Sequence, residues 1–114
     1  MKDTVILVTH YGMGSAGDVP ALPVKLIGKY FSLLLEGDRL PAAICFYTDG
    51  VKLVVKDSPV LEPLRALEEI GVRLIICSTC LDFYSLNGQT QVGIVGGMGD
   101  IIEAQTKAAK VITI

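Results

Sequence analysis

Two cysteines three residues apart, Cys77 and Cys80, stand in the segment ICSTCLDFY, directly after an apolar run. Cysteine reacts as its thiolate, and the unpaired N–H groups of a helix N-terminus favour that form. A strand closing at Cys77, followed by a helix holding Cys80 in its first turn, would offer both thiols this help without a basic side chain. Such a thiol attacks a sulfane sulfur, holds it as a persulfide (R–S–S⁻) and passes the outer sulfur to a second thiol. A partner thiol one helical turn away resolves the persulfide and leaves a disulfide. Three other readings compete. Free cysteine packs as a small hydrophobe, and Cys45, inside an apolar strand, is best read that way. A thioredoxin-like pair shares the spacing, but such sites normally follow an early strand, and Ser78-Thr79 offers neither proline nor glycine between the cysteines. A zinc site would draw on Cys77, Cys80, Cys45 and His10, yet there is no second CxxC and Cys45 is mid-strand.

The elements that must position these thiols follow from periodicity. Short apolar runs at Thr4–Thr9, Ala42–Thr48, Val72–Ile76, Gln91–Val95 and Val111–Ile114 read as five strands. Helical spacing begins near Val24 (Leu26, Ile27, Tyr30, Phe31, Leu34), with Gly37 at its C-cap. Ser58-Pro59 signals a second helix with proline at its first position. It is lined by Leu61, Leu64, Leu67 and Ile70 and ends at Gly71. Val51–Lys56 reads as a turn or short helix, and Leu81–Leu86 as a short helix closed by Asn87-Gly88. Asp100 with Glu103 forms a capping-box pattern for a last helix to about Ala109. Alternating strands and helices predict an α/β fold, a single three-layer α/β/α sandwich around a mainly parallel five-stranded sheet, spanning residues 1–114 as one domain.

Ligands of such sheets sit outside the carboxyl ends of the strands. That rule gathers His10, Tyr11, Thr48, Asp49, Cys77, Cys80 and the Gly96–Gly99 segment as candidate neighbours. His10 is the only histidine, so imidazole chemistry, if used, depends on it. Gly97-Met98-Gly99, just before the capped helix, resembles an anion nest or simply a tight turn. Met98 and Tyr47 read as crevice lining or as core. Glycines at 12, 14 and 17 match GxGxxG, but Pro20 and Pro23 separate them from the next helix, which argues against a dinucleotide site.

The bulk numbers exclude several classes. With 114 residues, 51% hydrophobic and 19% charged, the chain is sized for one core and suited to a sheet buried on both faces. A net charge of −2 provides no field for nucleic acid or an anionic membrane. No stretch approaches the roughly 20 apolar residues of a membrane span, and the N-terminal segment does not read as a signal peptide. An odd count of three cysteines makes no disulfide framework, which points to a reducing, cytoplasmic setting.

The segment CSTCLDFYSL, with YTDGVKL before it and VGIVGGMGDI after it, resembles the DsrE/DsrF-like sulfurtransferase-related domains, most closely the YedF type associated with selenium metabolism. That type has an aromatic-rich second strand running into GVKL, matched by Phe46–Leu53. Its Cys-Gly-Thr-Cys-Leu segment is matched by Cys77–Leu81, with Ser78 in place of glycine. Its later Asn-Met is half matched by Gly97-Met98. The resemblance runs from the first strand to the last. It implies a five-stranded parallel domain that forms homo-oligomers and needs no cofactor. It also implies a persulfide relay through the cysteine aligned with Cys77, with Ser85 where relatives commonly carry glycine. The YedF type adds the second cysteine, Cys80. The TusA-like sulfur-carrier domain that often precedes it is absent from this sequence, so a TusA-like protein or another thiol acceptor would be supplied in trans.

The expectation is therefore a cytoplasmic sulfur-relay protein. Cys77 or Cys80 carries sulfur or selenium, while His10, Tyr11, Thr48, Asp49, Gly97, Met98 and Gly99 shape the substrate crevice. A non-catalytic binding module of the same fold is the alternative, and an oligomeric scaffold a third reading. Spacing alone does not rank the two cysteines.

Overall fold

The computed structural model describes residues 3–37 and 39–114. Five strands, β1 (Thr4–Val8), β2 (Ala43–Phe46), β3 (Arg73–Cys77), β4 (Ile94–Gly96) and β5 (Lys110–Thr113), form one parallel sheet in the order β4-β3-β2-β1-β5. Helices α1 (Ala21–Glu36), α2 (Leu61–Glu69), α3 (Ser78–Phe83) and α4 (Met98–Lys107) connect them, with a 3₁₀ segment at Thr48–Leu53 after β2. The predicted α/β class holds.

Crossover chirality explains the layers. The path from β1 through β4 advances in one direction across the sheet, so right-handed connections place α1 and α2 together on one face. The return from β4 to β5 runs the other way and carries α4 to the opposite face, over β3 and β4. Consecutive residues of β2 consequently serve different layers. Phe46 meets Phe31 of α1, with ring centroids 6.5 Å apart, while Ala43 shares a hollow with Ala104 of α4. Every residue of β1 and β2 is buried, which accounts for their apolar character after Thr4, the one buried polar side chain among the described residues. Truncating Phe46, fully buried, to alanine is expected to cost about 3–5 kcal/mol in chemical denaturation.

Several boundaries differ from expectation, each for a local reason. Helix α1 starts at Ala21 rather than Val24. Pro23 falls in its first turn, where a missing N–H is harmless, and its ring is buried. Leu26, expected on the inner side, is 42% exposed; the buried row is Pro23, Ile27, Phe31 and Leu34. Helix α2 begins at Leu61, after Ser58 Oγ has accepted the Val60 N–H at 3.3 Å; Pro59 precedes the helix and Pro63 lies in its first turn. The fourth strand is Ile94–Gly96, not Gln91–Val95. Gly93 adopts φ +83° and breaks the run, and the residues before it pair antiparallel with the end of the 3₁₀ region, Gln91 N–H to Val54 O at 2.8 Å. In α4 the cap is displaced by three residues: Gly97 is the N-cap and Asp100, not Glu103, reaches back, its carboxylate accepting the Gly97 N–H at 2.9 Å. Glu103 instead pairs with Lys107 at 2.7 Å.

Gly50 shows why one glycine matters. A Cβ there would run into the Val8 carbonyl, so the 3₁₀ segment lies directly against the end of β1. Gly50→Ala is expected to destabilise the protein by about 1–3 kcal/mol, as overpacking does, measured by urea unfolding.

Candidate functional site

Strand β2 ends by splitting its hydrogen bonds between two neighbours. The Tyr47 N–H goes to the Val8 carbonyl of β1 at 3.1 Å. The next N–H, that of Thr48, faces the β3 side, where β3 has given way to α3. It meets no carbonyl there, but the Cys80 Sγ at 3.0 Å. Thr48 has φ +52°, the left-handed region that a β-branched residue rarely enters, at a cost of order 1–3 kcal/mol. The buried side chains of Val51 and Leu53 anchor the segment that follows.

Strand β3 delivers the cysteines. Cys77 closes it and is at the same time the N-cap of α3, which begins at Ser78 rather than the expected Leu81. Cys80 falls in the first turn, and Leu81 plugs the helix into the core. The helix stops in a Schellman arrangement. Ser85 takes φ +57°, the Leu86 N–H reaches the Leu81 carbonyl at 2.8 Å, and the Ser85 N–H reaches that of Asp82 at 3.0 Å. The same position is where the resemblance puts glycine, and the left-handed φ is the physical reason. Ser85→Gly is expected to raise stability by about 1 kcal/mol, read as an upward shift in Tm.

Around Cys80 the side chains of Thr48, Thr79, Phe83 and Tyr84 line an open, mainly apolar crevice of about 250 Å³. Beside it the Tyr84 hydroxyl donates to Asp49 Oδ1 at 2.6 Å. Lys52 Nζ lies 3.1 Å from the same oxygen and 4.3 Å from the centre of the Tyr84 ring. The Tyr84 bond and the Lys52 ammonium hold the Asp49 carboxyl below its usual range, and the Asp49 acceptor holds the Tyr84 phenol above its own.

The two thiols are unequal. Cys77 is 1% exposed, whereas Cys80 is half-buried and opens on the crevice. The expected lowering of the thiol pKa is not found at Cys80. Burial raises it above an ordinary thiol's, a hydrogen bond with Cys77 adds to the rise, and the Thr48 N–H opposes it. Alkylation of Cys80 is therefore expected to climb about tenfold per pH unit from pH 7 to pH 8.5 without a plateau, followed with iodoacetamide. Cys45, between Leu7 and Ile75 in the sheet and fully buried, is pushed up to about 11, burial outweighing the nearby Arg73 charge.

The other expected residues are distributed around this end of the sheet. Thr48 and Asp49 meet Cys80 and Tyr84 as described. His10 is exposed, and its Nδ1 is 2.8 Å from Thr9 Oγ1. Tyr11 lines a different apolar hollow with Pro20, Ala21, Val24 and Lys25. Gly96 pairs with Cys77 across the sheet, but the Gly97 N–H is already satisfied by Asp100, and Met98 is exposed. Tyr47 packs partly against the core. The glycines at 12, 14 and 17 all take positive φ, and α1 begins beyond them at Ala21. Among the described residues no three His, Cys, Asp or Glu side chains gather as a metal site. Sequence reasoning overlooked Tyr84 and Lys52. The signals were present: Tyr84 stands four residues after Cys80, one helical turn, and Lys52 three after Asp49.

The fold has close counterparts among solved structures. The ychN protein from E. coli aligns over 100% of both chains, with a TM-score of 0.69 and 17% identity. MTH1491 from Methanobacterium thermoautotrophicum, described as a protein of unknown function, aligns over 97% of both, with a TM-score of 0.70 and 22% identity. BT1422 from Bacteroides thetaiotaomicron, also described as of unknown function, covers 98% of this chain and 95% of its own, with a TM-score of 0.62 and 17% identity. At these identities the likeness is one of fold. No curated protein matches in sequence. The family assignment comes from the sequence as a whole: residues 2–114 match the model of the DsrE/DsrF-like family, and the chain belongs to it.

Proposed function

We propose that this protein is a persulfide carrier of the YedF type, with Cys80 as the thiol that accepts and delivers sulfur. The observation that carries the reading is the pairing of a crevice-facing Cys80 with the Thr48 N–H, 3.0 Å from its Sγ, while Cys77 stays buried. The Cys80 thiolate attacks the outer sulfur of a donor persulfide, R′–S–S⁻, and R′–S⁻ leaves. The new Cys80–S–S⁻ extends into the crevice beside Phe83 and Tyr84. A second thiolate, on a TusA-like carrier or another acceptor, then takes the outer sulfur and restores Cys80. Selenium can follow the same route. No cofactor enters this chemistry.

The setting proposed is a single domain working in the cytoplasm; among the described residues no helix is long and apolar enough to cross a membrane. Exposed apolar residues on both sheet edges, Ile94 and Val95 on one and Val111 on the other, support a homo-oligomer, for which sedimentation above the monomer mass is the expected result.

The test is to load the reduced protein with inorganic polysulfide, remove excess by gel filtration and assay bound sulfane sulfur by cyanolysis. Close to one equivalent per chain, discharged by an added thiol acceptor, is expected. The raised thiol pKa favours a second reading, a binding module whose crevice holds a small apolar group without transferring sulfur. No retained sulfane sulfur, with the fold intact by circular dichroism, decides for that reading.

A further inference from the structure

We infer that Tyr84 and Asp49 are positioning residues, which lock the 3₁₀ segment onto α3 and so keep the Thr48 backbone N–H aimed at the Cys80 sulfur. The geometry is a closed loop of short contacts. Cys80 and Tyr84 lie one turn apart, Cys80 in α3 and Tyr84 at its C-cap, while Thr48 and Asp49 are consecutive at the start of the 3₁₀ segment. One contact between the two segments is the Thr48 N–H to Cys80 Sγ at 3.0 Å, and the other is the Tyr84 hydroxyl to Asp49 at 2.6 Å. Lys52 stiffens the second by resting on the Tyr84 ring while bound to Asp49.

The strain at Thr48 gives this lock something to hold. A threonine at φ +52° returns toward a commoner conformation unless its surroundings prevent it. Behind it Gly50 is pressed against the Val8 carbonyl, and in front Asp49 is bonded to Tyr84. A hydrogen bond to sulfur stabilises the thiolate more than the thiol, and it serves a persulfide attached there equally. The ionisable groups around Cys80 are Cys77 behind it, Tyr84 on its own helical segment, Asp49 and Lys52 on the 3₁₀ segment, and His10 beyond Asp49. Replacing Tyr84 with phenylalanine changes none of their charges.

The inference uses the same thiol as the proposed carrier function, but its test needs no sulfur transfer. The rate of Cys80 alkylation by iodoacetamide is measured against pH for the wild type, Tyr84→Phe and Tyr30→Phe, each with a thermal melt. In Tyr84→Phe the profile is expected to move to higher pH by about half a unit to one unit, a loss of roughly three- to tenfold in rate at pH 7.5. Tyr30, packed edge-on against Phe31 in α1, touches neither segment of the lock, so the Tyr30→Phe profile is expected to overlay the wild type. An unshifted profile in Tyr84→Phe overturns the inference, as does an equal shift in Tyr30→Phe, which would make the effect one of general loosening. Failure of polysulfide loading in the wild type bears on the carrier function alone.

Discussion

Cys80→Ser is expected to abolish retention of sulfane sulfur, lowering it by about 100-fold or more. Serine's alcohol does not ionise near neutral pH and forms no persulfide, and neither remaining cysteine replaces Cys80. Cys77 is 1% exposed and Cys45 fully buried. A sulfur donor must reach its target thiol, and reactivity requires a thiolate. At Cys45, burial holds the pKa near 11. The substitution is close to isosteric at a half-buried position, so stability is expected to change by no more than about 1 kcal/mol. Cyanolysis of polysulfide-treated wild type and variant checks the first expectation and urea unfolding the second. Undiminished retention would transfer the carrier role to Cys77, the position favoured by the family resemblance.

Cys77→Ser is expected to have the opposite consequence, a longer-lived persulfide. With Cys77 present, its sulfur attacks the Cys80 Sγ of the persulfide. The Cys77–Cys80 bond forms, the bond from Cys80 to the outer sulfur breaks, and that sulfur leaves as HS⁻ with the Cys77 proton. Two thiols are oxidised to a disulfide and the sulfane sulfur is reduced to sulfide. The reaction is intramolecular, between the N-cap residue of α3 and a residue of its first turn, and such proximity gives large effective concentrations. Release of sulfide from the loaded protein, without added thiol, is expected to fall by about 100-fold in Cys77→Ser. The buried hydroxyl costs about 1–3 kcal/mol, so Cys77→Ala serves as a second variant with no new polar group. Sulfide release unchanged in both variants would remove Cys77 from the chemistry.

Much of the scaffold was legible because its signals are local. Five β-branched or apolar runs marked five strands, and their alternation with helices marked a parallel sheet. The CxxC at the end of the third run marked the end of the sheet where the candidate site lies. What was not legible depends on contacts between distant residues. The left-handed Thr48 is imposed by Gly50 against Val8 and by Asp49 against Tyr84, and no propensity of threonine announces it. Gln91 has strand character, but the turn at Gly93 sends it to pair with Val54 instead of β3. The helix signal at Asp100 was correct in kind and displaced in position, since a carboxylate at N3 and one at N-cap look alike in sequence. The ranking of the two cysteines was hidden for the same reason. A helix N-terminus promises both a lower pKa, but the burial that reverses this at Cys80 belongs to the folded core. Lys52 and Tyr84 escaped notice because their roles exist only once the 3₁₀ segment meets α3.

The central claim, that Cys80 is the thiol that carries sulfur, is tested most directly by locating the added atom. The reduced protein is treated briefly with polysulfide, trapped with an alkylating agent, digested and fragmented in the mass spectrometer, so that Cys77 and Cys80 within one peptide are told apart. The mass of one extra sulfur on Cys80, accumulating faster than on Cys77 or Cys45, is the predicted result. The extra sulfur on Cys77 first, or spread equally over all three cysteines, would contradict it.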